Sequence, residues 1–297
     1  MSKPLHLQDQ WAQWLLQRRD GGDLATRQTL LKNLEAYRDQ VLAHASLKEG
    51  ETLLDLGTGT GLIAFGALER LGERGTVIFS DISQDLLDHS RVLAEQMGVL
   101  ERCRFLLAPA DDLSALADAS VDVITTRSVL IYVQDKQRVF NECYRVLKPG
   151  GRISLFEPIN RFSLTGADQR FMEYDLAPIL PIGMKVLALY AQSRANATNA
   201  MLDFDERDLF AFAEKAGFPE VHLDLQAEVK PANPRAWDGF VQSSPNPLVP
   251  TLEEAMREAL TPEEAERFTA YLRPLVEGGR GTWRMAMAYL WAVKTRL

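Results

Sequence analysis

The spacing of apolar residues divides the chain into a helical N-terminal part, an alternating central part and a mixed C-terminal part. Apolar positions recur every three or four residues over 5–19 and again over 24–45, which predicts two amphipathic helices separated by Gly21 and Gly22. From residue 52 the pattern changes to short apolar runs, each followed by a polar or helical stretch. The N-terminal helices therefore precede a different kind of structure.

Short apolar runs alternate with helical stretches as far as residue 156. We predict strands at Thr52–Leu56, Thr76–Ser80, Cys103–Leu107, Val121–Thr126 and Arg152–Phe156. Helices are predicted between them over residues 62–71, 84–97 and 136–147. Strands that alternate with helices at this spacing indicate βαβ units and a parallel sheet covered by helices on both faces.

The alternation stops after Pro158. Residues 159–202 are predicted to be mainly helical, and 230–282 form a second long insertion with a helical stretch over 237–276. A helix is predicted over 205–216, ended by Gly217, and a strand over 221–229. The last apolar run, 283–294, fits either a strand or a helix, because periodicity does not distinguish them in a continuous apolar run.

Composition narrows the classes of function. The chain has 297 residues, of which 46% are hydrophobic and 25% charged, as in ordinary globular proteins. Its net charge of −8 disfavours binding to a nucleic-acid backbone, which calls for a basic face. No apolar run reaches the roughly 18 residues that a membrane span needs, and the N-terminal residues contain no signal-peptide core. We therefore expect a cytoplasmic protein with a small-molecule partner.

Metal and disulfide chemistry are not expected. The two cysteines, Cys103 and Cys143, are too few for a disulfide framework. The four histidines are scattered without the spacing of zinc ligands.

A cluster of glycines marks the end of the first predicted strand. Asp55-Leu56-Gly57-Thr58-Gly59-Thr60-Gly61 runs from that strand into the next helix. Glycine lets a backbone turn tightly and approach a ligand closely, and the helix start behind it offers free N–H groups to an anionic group. Asp81 ends the second strand, where its carboxylate can accept hydrogen bonds from ribose hydroxyls. The pattern predicts a nucleoside-containing ligand at the carboxyl edge of the sheet.

The glycine cluster alone leaves the nucleoside open. The run Gly59–Ala64 also fits GxGxxA, the dinucleotide pattern, and Asp81 follows it at a suitable separation. A nicotinamide-dependent oxidoreductase is therefore one alternative.

Four segments, taken in their order along the chain, help to distinguish between the possible nucleoside ligands. They are Asp55–Gly61, Phe79–Ser83, Ser120–Ile124 and Arg145–Gly151. Together they resemble the motifs of the class I S-adenosylmethionine-dependent methyltransferase family, in its small-molecule branch related to ubiquinone-biosynthesis methyltransferases. The resemblance covers about Gly50 to Pro158. It implies S-adenosylmethionine as cofactor and a Rossmann-like α/β fold: a mostly parallel sheet with an antiparallel final strand, N-terminal helices and helical insertions.

The resemblance also implies roles for individual residues. By analogy, Asp81 would bind the ribose, Ile82 would pack on the adenine, Ala110 would offer its backbone to the adenine edge, and Arg127 would line the site near the methionine group or substrate. The glycines would surround the methionine portion of the cofactor. The complete set implied in cofactor binding is Asp55, Gly57, Thr58, Gly59, Gly61, Asp81, Ile82, Ala110, Asp111 and Arg127.

One position departs from the family pattern. Pro109 stands where the family often carries an acid that contacts the adenine amino group, so Asp111 or Asp112 would have to substitute for it. Asp55 and Asp81 also have structural interpretations, as caps of a turn and of a helix.

The general base is not identified by any motif. Tyr132, Glu157 and Asp135 are candidates by position only, and Arg127 is a further weak candidate for a role in catalysis. A base is needed only when the acceptor must lose a proton. A protein that binds S-adenosylmethionine without methylating is a second alternative.

Three regions follow from these predictions. Residues 1–47 are interpreted as an N-terminal helical lid, 48–158 as the cofactor-binding core and 159–297 as substrate-side helical insertions with the last strands of the sheet. The apolar segment Pro178–Ile182 and its aromatic neighbours favour a hydrophobic small-molecule acceptor, although such residues also suit a core. The helical extensions fit a homodimer interface as well as a substrate cap.

Overall fold

The structure is a computed structural model that describes residues 9–163, 169–195 and 199–295. Its strands are β1 (Thr52–Leu56), β2 (Thr76–Asp81), β3 (Cys103–Leu107), β4 (Val121–Arg127), β5 (Leu147–Pro158), β6 (Arg170–Phe171), β7 (Tyr174–Asp175), β8 (Glu220–Pro231) and β9 (Thr282–Val293). Seven of these form one sheet in the order β3-β2-β1-β4-β5-β9-β8, and β6 pairs with β7. Strands β1 to β5 are parallel, whereas β9 runs antiparallel to β5. The predicted fold class is confirmed.

The described residues also form α-helices. They are α1 (Gln10–Gln13), α2 (Leu24–Ala45), α3 (Leu62–Arg70), α4 (Gln84–Gln96), α5 (Lys136–Val146), α6 (Asn160–Ser163), α7 (Leu180–Ala195), α8 (Glu206–Ala216), α9 (Trp237–Gln242), α10 (Leu252–Ala259) and α11 (Pro262–Glu277). None of the helices in the described ranges is sufficiently long and apolar to cross a membrane.

Most predicted elements lie within two residues of their observed bounds. The βα alternation is present from β1 to α5, and the C-terminal run 283–294 is a strand, β9. Strand β5 is longer than predicted and begins at Leu147, directly after α5, with an irregular register against β4.

Two predictions of helix need correction. The described part of 5–19 is α1 followed by a π-helical turn, Trp14–Arg18, because a π turn changes the spacing by only one residue and escapes a periodicity analysis. Residues 159–202 contain the β6–β7 hairpin as well as helices, since strands of two residues are too short to show an alternation. Residues 5–8, 164–168 and 196–198 lie outside the described residues.

The chain forms two compact units. The sheet unit comprises Asn33–Ile159, Ala200–Gln226 and Met287–Leu297, and the helical unit comprises Met1–Lys32, Asn160–Asn199 and Ala227–Ala286. The lid, cofactor and substrate assignments of 1–47, 48–158 and 159–297 concern function and stay predictions.

The core of the sheet unit explains the continuous apolar runs. In β1, β2 and β4, residues such as Leu53, Val77 and Val123 are completely buried. A parallel strand that is covered on both faces buries every side chain, so its sequence reads as a run rather than an alternation.

The core of the helical unit is aromatic. Phe171, Tyr174 and Tyr190 are each at most 3% exposed. Their rings meet one another or Phe240 nearly edge to face, with centroids 5.2 to 6.3 Å apart. These residues are therefore packing residues of this unit, which removes them as direct support for a hydrophobic substrate pocket.

A buried ion pair joins two segments of the sheet unit. Lys136, 3% exposed, lies at the start of α5. Its Nζ is 2.6 Å from a carboxylate oxygen of Asp203, donates to the backbone oxygen of Val133 at 2.9 Å and lies over the ring of Phe204. A buried ammonium requires such partners because its desolvation is costly.

We predict that the two halves of this pair differ in their effect on stability. Asp203→Ala leaves the ammonium of Lys136 buried without its carboxylate and should cost roughly 2 kcal/mol of unfolding free energy. Lys136→Met removes the buried charge and should cost less than about 1 kcal/mol. Urea unfolding of both variants measures the difference, and equal losses would contradict the role given to the buried charge.

Candidate functional site

The turn between β1 and α3 has a backbone that only glycine accepts easily. Gly57, Gly59 and Gly61 all have positive φ, at 59°, 56° and 80°. A Cβ on Gly57 would lie 2.3 Å from Cγ2 of Val129, and one on Gly61 would lie 2.4 Å from Cε2 of Phe65. The turn therefore runs directly against neighbouring side chains, and a close approach of its backbone to a ligand stays a prediction.

The carboxylate of Asp55 is hydrogen-bonded to this turn and to the neighbouring strand β4. One carboxylate oxygen accepts from the hydroxyl of Thr58 and the other from the hydroxyl of Thr125, both at 2.8 Å. Asp55 is only 2% exposed, and burial raises its pKa to about 6, while these hydrogen bonds and the charge of Arg127 act in the opposite direction. These hydrogen bonds of Asp55 fix the shape of the loop and tie it to β4.

Asp81 connects the glycine turn to the next helix. Its Oδ2 accepts from the backbone N–H of Gly59 at 2.8 Å, and its Oδ1 accepts from the N–H of Ser83 at 2.9 Å. The N-cap of α4 is Ser83, whose hydroxyl accepts from Leu86 N–H, so Asp81 is not the helix cap. The carboxylate is 7% exposed and is held at the carboxyl end of β2.

The positions assigned to adenine lie at neighbouring strand ends. The N–H of Ala108 donates to the backbone oxygen of Asp81 at 3.0 Å, which joins the segments after β2 and β3. Ile82 is 52% exposed, whereas Ala110 is 7% exposed. Asp111 is half-buried.

Glu157 ends β5 as a completely buried carboxyl group. Its Oε1 accepts from the backbone N–H groups of Val129 at 2.8 Å and Leu130 at 3.0 Å. Its Oε2 has no hydrogen-bond partner among the described residues. Burial raises the pKa of Glu157 to about 7, against the backbone donors and the charge of Arg127, which act to lower it. The side chain can therefore exchange a proton near neutral pH.

Arg127 and Tyr132 complete a charge cluster with Asp55 and Glu157. Arg127 is half-buried at the end of β4, and its Nη1 donates to the hydroxyl of Ser128 at 3.4 Å. Burial lowers the pKa of Arg127, while the carboxylates of Asp55 and Glu157 raise it. Burial also raises the pKa of the half-buried Tyr132, with Arg127 opposing and Glu157 adding to the shift, so the phenol stays protonated.

The residues predicted by position as candidates for a catalytic role have different surroundings in the structure. Arg127, Tyr132 and Glu157 act electrostatically on one another in the charge cluster. Asp135 instead caps α5, where its carboxylate accepts from the N–H of Arg138 at 2.9 Å.

Sequence reasoning missed three contributors. Thr125 supports Asp55, Val129 closes against Gly57 and donates to Glu157, and Ser128 takes a positive φ of 55° between β4 and that contact. Two adjacent threonines in a buried strand were the available signal for Thr125, because a buried hydroxyl usually has a partner. No local signal marks Val129.

Comparison with known proteins identifies the family. A model of the ubiE/COQ5 methyltransferase family matches residues 28–228, more than half of the chain. The chain belongs to the ubiE/COQ5 methyltransferase family. It is an S-adenosylmethionine-dependent methyltransferase, and the predicted family, enzyme class and cofactor are confirmed. Family membership does not favour the oxidoreductase or the non-methylating alternative.

Similar sequences include two methyltransferases that are named for different reactions. The ubiquinone/menaquinone biosynthesis C-methyltransferase UbiE of Citrobacter koseri is 33% identical over 189 residues, which cover 62% of this chain and 73% of UbiE. The arsenite methyltransferase of Halobacterium salinarum is 36% identical over 117 residues, which cover 39% of this chain and only 29% of the relative.

Solved structures share the fold. The YcgJ protein of Bacillus subtilis has a TM-score of 0.54 at 15% identity and covers 88% of this chain and 98% of its own. The [4+2]-cyclase SpnF has a TM-score of 0.52 at 20% identity, with 88% and 81% covered. At such identities the likeness shows a common architecture, whose functions differ between proteins.

We predict that Gly57→Ala destabilises the protein more than Gly98→Ala. Both glycines have positive φ, 59° and 69°, so both variants incur a backbone cost of about 1–2 kcal/mol. Only the new Cβ at residue 57 meets Val129, which adds about 1–3 kcal/mol, since nothing lies within 4 Å of a Cβ on Gly98. Thermal unfolding checks this, and equal shifts in Tm would show that the turn yields to a side chain.

Proposed function

We propose that this methyltransferase acts on a small, hydrophobic acceptor whose reacting atom gives up a proton to Glu157. The observation that carries the proposal is the free Oε2 of Glu157. It belongs to a completely buried carboxyl group with a pKa near 7, held by Val129 beside the glycine turn. A buried carboxyl oxygen without a partner is costly, and a ligand or a proton-transfer role at this position would account for its retention.

The cofactor site is proposed to consist of the residues that the sequence singled out. S-adenosylmethionine supplies a methyl group on a positively charged sulfur. The turn at Gly57, Gly59 and Gly61 is proposed to lie against the methionine portion, and Asp55 and Thr58 fix the shape of this turn. The carboxylate of Asp81 accepts from the ribose hydroxyls, and the exposed Ile82 offers an apolar surface to the adenine. Ala110, Asp111 and Arg127 complete the proposed set.

We expect Asp81→Ala to weaken S-adenosylmethionine binding about 100-fold. The carboxylate would contribute two charge-assisted hydrogen bonds, each worth about 1.5–3 kcal/mol. Isothermal titration with S-adenosylmethionine and S-adenosylhomocysteine measures the change.

The matched control for Asp81 is Ser83→Ala. This variant removes the N-cap of α4, at a cost of about 1 kcal/mol in stability, and leaves the carboxylate in place. Its affinity should stay within about threefold of the wild type. If Ser83→Ala loses as much affinity as Asp81→Ala, the carboxylate acts through the helix and not on the ribose.

Glu157 is placed to act as a general base. In its ionised form Oε2 would take the proton that the acceptor atom loses when it is methylated. Arg127 stabilises the ionised form of Glu157, which burial alone would suppress. Tyr132 keeps its proton and can donate a hydrogen bond to an oxygen of the acceptor.

The acceptor is proposed to be a lipophilic ring compound methylated at carbon or oxygen. Likeness to UbiE over 62% of the chain supports this class. Arsenite is a poorer fit because the chain has only two cysteines, and burial raises the pKa of both Cys103 and Cys143, so neither is a ready thiolate. Turnover to S-adenosylhomocysteine with a short-chain isoprenoid hydroquinone, compared with arsenite and RNA, tests this choice.

We expect kcat to rise with pH through about 7, as Glu157 loses its proton. Glu157→Gln should abolish that limb and lower kcat by about 10²–10⁴, the usual contribution of a general base. Arg127→Met should move the limb to higher pH, because the guanidinium lowers the pKa of Glu157. The measurement is the pH profile of S-adenosylhomocysteine release.

A stability measurement tests the burial of the Glu157 carboxyl group independently of any acceptor. Folding raises the pKa of Glu157 from its ordinary 4.5 to about 7, so its contribution to stability is complete below about pH 4.5 and is lost as the pH rises through 7. Wild-type Tm should therefore fall between pH 5 and 8 relative to Glu157→Gln. If this difference appears while the pH limb of kcat persists in Glu157→Gln, the group is buried as proposed but is not the base.

A further inference from the structure

The outermost strand β8 is amphipathic and largely open. It ends the order of the seven-stranded sheet, so in the described part of the chain one side of β8 pairs with no other strand of that sheet. All twelve of its residues except Val221 and Leu223 are exposed. Proteins usually cover or shorten such an edge, because its unpaired N–H and C=O groups are a template for another strand.

Side chains alternate strictly along β8. Its odd positions are all apolar: Val221, Leu223, Leu225, Ala227 and Val229. Two of these, Leu225 at 46% and Val229 at 53%, are among the most exposed large apolar side chains of the described residues. Its even positions carry the polar and charged groups: Glu220, His222, Asp224, Gln226, Glu228 and Lys230. One face of the strand is thus an apolar row that this chain leaves partly uncovered.

Contacts with β9 reveal which backbone groups of β8 face outward. Lys230 lies over the ring of Trp283, and His222 stacks on Trp291. The two contacts are separated by the same number of residues on β8 as on β9, so both fit a single antiparallel register. Directly after β8, the N–H of Ala232 donates to the backbone oxygen of Gly281 at 3.0 Å. In such a ladder, alternate residues point their N–H and C=O to the same side. The backbone N–H and C=O groups of even-numbered residues therefore point toward β9, and those of odd-numbered residues point toward the open edge.

We propose that the open edge of β8 pairs antiparallel with β8 of a second copy of this chain, with the two-fold axis at Leu225. Each outward-facing odd residue then exchanges N–H and C=O bonds with its opposite residue. Leu225 meets its own copy, Leu223 meets Ala227, and Val221 meets Val229. The apolar rows of both strands become one continuous stripe across the joint sheet.

Charge favours this register over one shifted by a single residue. With the axis at Leu225, Glu220 lies opposite Lys230, His222 opposite Glu228, and Asp224 opposite Gln226, so no like charges meet. Moving the axis by one residue to Gln226 places Asp224 opposite Glu228 at two symmetric positions. Cross-strand pairs of like charge are unfavourable, and although exposed ion pairs add little affinity, they discriminate between registers.

Sedimentation of the full chain at micromolar concentrations tests the interface. We expect a concentration-dependent dimer of twice the 33.3 kDa chain mass. Ala227→Pro removes an outward N–H that β9 does not use, so it should give a monomer with unchanged thermal unfolding and S-adenosylmethionine binding. A wild-type monomer at every concentration, or a folded Ala227→Pro variant that still dimerises, would overturn the proposal.

Charge reversal tests the register. Lys230→Glu should raise the dimer dissociation constant about tenfold by facing Glu220, and adding Glu220→Lys should restore it. Mild oxidation should cross-link Leu225→Cys, because that position faces itself at a distance a disulfide can span, but not Val229→Cys or the wild type. Failure of the charge rescue, or equal cross-linking of both cysteine variants, would show that the copies meet in another way.

Discussion

The carboxylate of Asp55 is the constraint on which the carboxyl edge of the sheet depends. It lies next to the last residue of β1, beneath the glycine turn, and accepts from the hydroxyls of Thr58 and Thr125. The first bond fixes the turn, and the second ties it to β4, the neighbouring strand. Since a carboxylate at this depth would be very unfavourable without donors, the two threonines are needed for the loop to keep its shape.

Val129 extends this constraint to the proposed base. Its side chain occupies the space that a Cβ on Gly57 would take, and its backbone N–H binds Oε1 of Glu157. One residue thus sets the distance between the glycine turn and the carboxyl group at the end of β5. Positioning of this kind matters for methyl transfer, because alignment of the reacting groups supplies much of the rate enhancement in a displacement between bound partners.

The carboxyl ends of the strands and the outermost strand of the sheet differ in how they place polar and apolar residues. At the carboxyl edge, burial is used to raise the pKa values of Asp55 and Glu157, so polar groups are enclosed and individually supported. At the outer edge, β8 leaves an apolar row and a set of backbone donors open. The first arrangement suits chemistry on a small molecule, whereas the second suits association of whole chains.

Local patterns in the sequence determined the succession of elements and the cofactor motif. Buried parallel strands read as apolar runs, helices as three- and four-residue periods, and the glycine turn and Asp81 follow their strands within a few residues. These features depend on neighbours along the chain, so they can be read from it. The β6–β7 hairpin and the π turn were missed because each occupies too few residues to impose a period.

Only the tertiary structure decided which polar groups meet. Thr125 reaches Asp55 across 70 positions of the chain, and Val129 reaches Glu157 across 28. The sequence named Glu157 by position alone; its pKa near 7 arises from complete burial, offset in part by backbone donors and by Arg127. Desolvation and charge interactions depend on every group that folding brings within a few ångströms, and no local pattern encodes that sum.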